Sequence, residues 1–276
     1  MNVESKQFID IKRARAIGFL RLGETFTQKT NLEPINEKTQ QSLETLRNIL
    51  PIKPALILDL HSNPLDLFHT GLTLTHNLNI ENIIAPVAAN NYFFPPLRLF
   101  YSAVIDMPGI KAFPVLRKHD NPAKLGNIVS RLSQITFNRG EKYNQPKSYF
   151  EQVETAINES WPHTIIFSAT FKKNKPYLPV YNGVQSILKM GLPSFFTASY
   201  LDESTNLYHT FLSKPLPNFD EKTPGSEINT AIRLAHSNLA EYAFQLNPNL
   251  TTKSIPNQEY LSALLTNSFS KTSNHI

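Results

Sequence analysis

The chain has 276 residues, 41% of them apolar and 18% charged, with a net charge of +5 and no cysteine. That length suits one large domain or two small ones, and 18 Phe and 10 Tyr give it the bulk for a packed core, which excludes a disordered chain. The missing cysteine excludes disulfides, thiolate metal sites and a cysteine nucleophile; the mild basic excess fits an anionic partner; and no apolar run reaches the roughly 18 residues of a membrane-spanning helix.

The N-terminus carries a short apolar patch, Ala16–Leu20, set between Arg15 and Arg21, without the small-residue cleavage site of a leader. A mature, cytoplasmic chain is expected. Residues 36–50 read as a helix with Leu43, Leu46, Ile49 and Leu50 on one face, stopped by Pro51 and Pro54. Ala55–Leu60 is an apolar run of strand length, the pattern of a buried strand. A helix should start near Pro64 and run to about Asn77. Residues 83–88 read as a strand that Pro86 weakens, and 92–103 as an aromatic stretch that turns helical after Pro96. Ala112–Arg117 is a further strand, and Asp120-Asn-Pro122 starts a helix running to about Thr136. Residues 138–147 form a polar loop, and a helix follows from Ser148 to Glu159. Thr164–Ala169 is a second strongly apolar strand, and Gly183–Met190 a short helix closed by Gly191 with Pro193 beyond it. Phe195–Tyr200 and Tyr208–Leu212 are strands, and Ser226–Phe244 is a long helix with Ile228, Ile232, Ala235 and Leu239 on one face.

Strands alternating with helices imply an α/β fold: a mostly parallel central sheet with helices on both faces. One domain is expected over residues 1–276, with 1–35 a candidate helical, membrane-contacting extension and 271–276 a frayed tail. Parallel sheets of this kind place their sites beyond the carboxyl ends of the strands, so the residues just after Leu60, Arg117 and Ala169 come first.

The segment after the first long strand is His61-Ser-Asn-Pro-Leu-Asp66. Asn63 is a favoured N-cap and Pro64 a favoured first helical residue, which sets Asp66 at the third helical position. A turn between them lets His61 and Asp66 meet. A carboxylate on one imidazole nitrogen fixes the tautomer and leaves the other nitrogen free to act as general base. The plainer alternative is a helix-capping Asp66 and a polar strand-end His61.

His61-x4-Asp66 after an apolar strand resembles the first motif of the glycerolipid acyltransferases of the 1-acylglycerol-3-phosphate type. Gly109-Ile-Lys-Ala-Phe-Pro-Val-Leu-Arg117 is similar to that family's second motif, a strand ending in an Arg. Ile165-Ile166-Phe167-Ser-Ala-Thr-Phe-Lys172 stands in the place of the third, which reads Phe-Pro-Glu-Gly-Thr-Arg in the family. The stretch from Val180-Tyr-Asn-Gly183 through Gly191-Leu-Pro193-Ser-Phe-Phe-Thr-Ala198 follows in the same order, so the resemblance covers residues 45–215. It departs in the third motif, where Ala169 and Thr170 replace the Glu and Gly and Lys172 is the nearest match to the Arg, and in the second, where Pro114 sits inside the strand.

The resemblance implies transfer of a fatty acyl group from an acyl thioester of coenzyme A or acyl carrier protein to the hydroxyl of a glycerol-phosphate-type acceptor. His61 and Asp66 would be the catalytic pair, and Arg117 would hold the acceptor's phosphate. No metal and no other cofactor is implied. Lys172 and Lys173, with Lys175, Lys111 and Lys118, are further candidates for binding phosphate, or else a solvated turn.

Two alternatives stay open. One is a catalytically silent relative that binds lipid or protein. The other is a metal-dependent hydrolase, suggested by Asp59-x-His61, although its usual second His position is Asn63. His69 and His76, seven apart on one helix face, lack an obvious third ligand. The dense aromatic stretch Tyr92–Tyr101 suits an acyl tunnel or plain core. Basic Lys6, Lys12, Arg13, Arg15 and Arg21 with Phe8, Ile9, Ile17 and Phe19 suit contact with an anionic membrane surface. The charge is too diffuse for a nucleic-acid partner, and no glycine-rich dinucleotide, P-loop or Gly-x-Ser-x-Gly motif is present.

Overall fold

The computed structural model describes residues 18, 29–34, 36–60, 66–88, 110–115, 147–170, 182–252 and 256–266. Its elements are β1 (Lys29–Asn31), α1 (Glu37–Ile49), β2 (Ala55–Asp59), α2 (Asp66–Asn77), β3 (Asn82–Ala88), β4 (Ile110–Val115) and α3 (Lys147–Asn158). They continue with β5 (Thr164–Ala169), α4 (Asn182–Leu188), β6 (Ser194–Asp202), β7 (Leu207–Pro215), α5 (Gly225–Leu246), β8 (Leu250–Thr251) and α6 (Asn257–Thr266).

The strands join in one mixed, mostly parallel sheet in the order β1-β7-β6-β2-β5-β3-β4, with β8 pairing β6. β6, β2, β5, β3 and β4 run parallel, while β7 turns back antiparallel on β6 and β1 lies parallel to β7. Period-two alternation along β2 then splits the core between the two faces. Ala55 and Ile57 pack with Leu43 and Leu46 of α1 and Leu72 of α2. Leu56 and Leu58 point the other way, into a cluster with Val153 of α3, Ile187 of α4, Ile232 of α5 and Tyr260 of α6. The protein is therefore α/β with helices on both faces, and each fully buried aliphatic or aromatic side chain contributes about 1.5–3 kcal/mol.

Local chemistry accounts for the element ends. Asn36, in extended backbone, caps α1 by accepting from Thr39 N at 2.8 Å, and Glu37 in the first turn complements the helix dipole. Gly191 adopts φ 76 after α4, the left-handed conformation that a helix stop of this type requires. α6 is fastened to α5 by a hydrogen bond between the Tyr260 hydroxyl and His236 Nε2, both deeply buried.

The two strand prolines have distinct explanations. Pro86 lies within β3, which is an interior strand, yet β5 pairs β3 only over Asn82–Ile84. Beyond Ile84 only β4 pairs it, so the missing N–H of Pro86 costs no ladder bond on the β5 side. Pro114 lies in β4, an outermost strand of the sheet among the described residues, where a missing donor is tolerated.

Several features differ from the sequence reading. β6 and β7 are each nine residues long and form an antiparallel hairpin. β1 lies inside the segment expected as an N-terminal extension and is an edge strand of the sheet. β8 and α6 are additions. The expected helices at 92–103 and 122–136, the polar loop up to residue 146, the tail 271–276 and the basic N-terminal patch lie outside the described residues. Among the described residues no helix is long and apolar enough to cross a membrane.

Candidate functional site

Because β2, β5, β3 and β4 are parallel, their carboxyl ends share one edge of the sheet. The chain stretches that follow Leu60, Ala88, Val115 and Thr170 all depart from that edge. His61 follows Leu60 directly, Arg117 stands two residues after β4, and Lys172 and Lys173 stand three and four residues after β5. These four residues lie outside the described part of the structure. Asp66 is placed by its backbone at the start of α2, and its side chain lies outside the description. The fold thus brings the ends leading to these residues to one edge, with β5 beside β2 and β4 three strand positions away.

The described residues at this edge form a hydroxyl-rich network that the sequence reading did not assign. Asp59, the last residue of β2, is 2% exposed. Its Oδ1 accepts from Thr70 Oγ1 of α2 at 2.8 Å and from Thr197 Oγ1 of β6 at 2.9 Å. Its backbone carbonyl accepts from Thr170 N at 3.2 Å, and the next residue, Leu60, donates its N–H to Thr197 O at 3.1 Å. Thr70 Oγ1 also lies 3.3 Å from Ser199 Oγ, and Ser199 Oγ lies 2.9 Å from Thr210 Oγ1. Thr73 Oγ1 donates to Thr210 Oγ1 at 3.1 Å. These hydroxyls are all buried. The signal was present in outline: one carboxylate in the otherwise apolar strand ALILD, and Thr70 and Thr73 at i, i+3 on α2. A buried carboxylate must be hydrogen-bonded, so partners had to exist.

α2 also carries His69 and His76, the pair considered as metal ligands. His69 is buried, its Nδ1 lies 2.8 Å from Thr30 Oγ1, and its ring stacks on Tyr208 with centroids 3.9 Å apart. His76 is exposed, with Nε2 3.3 Å from Glu33 Oε1. Both contacts reach β1 or the residues just after it, so these rings hold the edge of the sheet. Among the described residues no group of three or more His, Asp or Glu is placed to hold a metal ion.

A second polar cluster closes the far end of the β6–β7 hairpin. Asp202 Oδ1 accepts from Ser204 N at 2.8 Å, Ser204 Oγ at 2.6 Å and Thr205 N at 3.4 Å, and Oδ2 accepts from Asn247 Nδ2 at 2.8 Å. Burial pushes this carboxyl up, but the bonds from Ser204, Asn247 and Thr205 outweigh burial and bring it down to about 2. His209 Nε2 stands 3.8 Å from Asp202 Oδ2. Burial lowers the pKa of His209, and the Asp202 charge opposes that shift.

The tautomer of His209 follows from its neighbours. Asn31 Oδ1 accepts from Glu33 N at 3.3 Å, so Asn31 Nδ2 is the atom 3.1 Å from His209 Nδ1. An amide nitrogen only donates, so Nδ1 accepts and the ring proton sits on Nε2, on the Asp202 side.

Comparison of the chain with protein-family models, with curated proteins and with solved structures found no match.

Proposed function

We propose that this protein is an O-acyltransferase that moves a fatty acyl group from an acyl thioester, of coenzyme A or acyl carrier protein, to the hydroxyl of a glycerol-phosphate-type acceptor. The observation that carries this reading is the common edge of the parallel strands. The ends leading to His61, Lys172 and Lys173 lie on neighbouring strands there, and the end leading to Arg117 lies three strand spacings from β2. At about 4.8 Å per spacing that is about 14 Å, a gap that an arginine side chain and a glycerol phosphate bridge together.

In the proposed reaction His61 takes the proton of the acceptor hydroxyl as its oxygen attacks the thioester carbonyl. Asp66 orients the imidazole and stabilises its charged form. The new ester C–O bond forms as the C–S bond breaks, and the departing thiolate recovers the proton from His61. Arg117 grips the phosphate through two hydrogen bonds, with Lys172 and Lys173 adding charge. The protein acts in the cytoplasm and binds reversibly to anionic membrane, where its lipid product is delivered.

The test is a panel of acyl thioesters against hydroxyl acceptors, read by mass spectrometry, with the wild-type protein and His61→Ala. Transfer by the wild type that falls on the order of 10²–10⁴-fold in the variant is the expected result. A variant with wild-type turnover removes His61 from the reaction, and a wild type inactive across the panel favours the silent, lipid- or protein-binding relative.

A further inference from the structure

We propose that Asp59 and Thr70 are positioning residues that fix both ends of the chain between Leu60 and Asp66, and so set the place of His61; this rests on the reading of His61 as general base. β2 is held at its last residues from three directions. β5 holds it through Thr170 N to Asp59 O at 3.2 Å, and β6 through Leu60 N to Thr197 O at 3.1 Å. α2 holds it through Thr70 Oγ1 to Asp59 Oδ1 at 2.8 Å. The same hydroxyl ties α2 to β6 at Ser199, 3.3 Å away, and Thr73 ties the next turn of α2 to β7 at Thr210, 3.1 Å away.

The hydroxyl protons of this network have one consistent order. Each hydroxyl carries one proton, and Thr70 donates its own to a carboxylate oxygen that accepts. Ser199 therefore donates to Thr70, Thr210 donates to Ser199, and Thr73 shares its proton between Thr210 Oγ1 and the His69 carbonyl, each 3.1 Å away. The chain of donors runs one way across β7, β6 and α2 and ends on Asp59, and each bond polarises the next. Removal of the Thr70 hydroxyl takes away its last two bonds, Ser199 to Thr70 and Thr70 to Asp59.

Packing alone does not account for a carboxylate here. Burying a charged or polar group is costly unless it is fully hydrogen-bonded, and an aliphatic side chain fills the same strand position without that cost. What the polar lattice adds is direction: apolar surfaces slide, whereas the 2.8 Å bond from Thr70 to Asp59 fixes α2 against β2. General-base chemistry needs reacting groups held to within about 0.5 Å, and a 1 Å misplacement costs about 10²-fold.

The test uses Thr70→Val, which keeps shape and loses the hydroxyl, Thr70→Ser, which restores it, and Thr197→Val, which removes the other hydroxyl bonded to Asp59. Transfer from a long-chain acyl-CoA to glycerol 3-phosphate is measured beside an NMR titration of the His61 imidazole, assigned by its loss in His61→Gln. Thr70→Val is expected to lower kcat about tenfold or more with both KM values within about twofold, and Thr70→Ser to return kcat to within about twofold of wild type. The His61 titration should move in Thr70→Val and return in Thr70→Ser, which a purely structural threonine would not produce. Should Thr70→Val not fold, Thr197→Val carries the same expectation. Wild-type kcat and an unmoved His61 titration in a folded valine variant overturn the inference. A wild type inactive across the whole panel of thioesters and hydroxyl acceptors, whose His61 titration still follows the Thr70 series, overturns the proposed function and leaves the positioning role standing.

Discussion

Replacing Asp202 by Asn tests the electrostatics of the hairpin cluster. The carboxyl moves from an ordinary 3.8 to about 2 in the folded chain, which corresponds to about 2 kcal/mol of native stability at neutral pH. Solvent near the hairpin end screens part of this, leaving on the order of 1 kcal/mol. The amide adds a second penalty. With its oxygen kept toward Ser204, its nitrogen faces Asn247 Nδ2 and the protonated Nε2 of His209, both donors. One lost bond and a buried unpaired donor cost about 1–2 kcal/mol. Asp202→Asn should therefore lose about 2–3 kcal/mol in urea unfolding at pH 7, and roughly 5–10 °C in Tm.

The pH dependence has a defined sign. Both groups have folded pKa values below their unfolded ones, so each contributes stability that is present above its unfolded value and lost as pH falls. For His209 the loss begins below 6.5, and for Asp202 it runs from 3.8 down through about 2. Asp202→Asn also removes the charge that opposes the lowered His209 pKa. The gap between wild type and variant should widen as pH falls below 6.5, then narrow below pH 4, with nearly half of the carboxylate's contribution gone by about pH 3. An unchanged urea midpoint at pH 7, or a gap that stays flat between pH 7 and pH 3, refutes this account of the cluster.

Arg117→Ala should raise the KM for a phosphate-bearing acceptor about tenfold or more while leaving the acyl donor's KM nearly unchanged, as steady-state kinetics with each substrate varied in turn will show. The protein should sediment with anionic but not neutral liposomes at low salt, lose that association as salt rises, and bind less after deletion of residues 1–22; equal recovery in both supernatants at low salt counts against membrane contact.

The sequence disclosed the elements whose pattern is local. The apolar runs ALILD and TIIFSA, the i, i+3, i+4 spacing of α1 and α5, and the Gly191 stop are each readable from one window of chain. β1 was not readable, because KTN has no apolar alternation and owes its place to pairing with β7 and to contacts with His69 and His209. α6 offers Tyr260 and Leu264, with Leu261 half-buried beside them, to the core, too short a stripe to stand out. At the site, His61 and Asp66 drew notice because six consecutive positions of chain hold both. The lattice around Asp59 joins β2 to α2 and to β6, with Thr197 lying 138 positions away, and no spacing rule connects residues that distant. The seven-residue step from His69 to His76 correctly put two rings on one helix, but their partners come from the edge strand and the turn after it.

The strand order carries a consequence for how the chain is made. β6 and β7 lie between β1 and β2, although both of those are synthesised far earlier. On a ribosome, the flank of β2 that will receive β6 stays bare until Asp202 has emerged, and β1 has nothing to pair with until β7 follows. Roughly 140 residues separate the end of β2 from the end of β6, which at 5–20 residues per second is roughly 7–30 s. Throughout that interval one of the most apolar strands of the protein presents an open hydrogen-bonding edge to other nascent chains, the condition under which strands pair with the wrong neighbour. Holding factors that shield nascent chains should therefore raise the yield of this protein most when they act between the emergence of β2 and that of the β6–β7 hairpin.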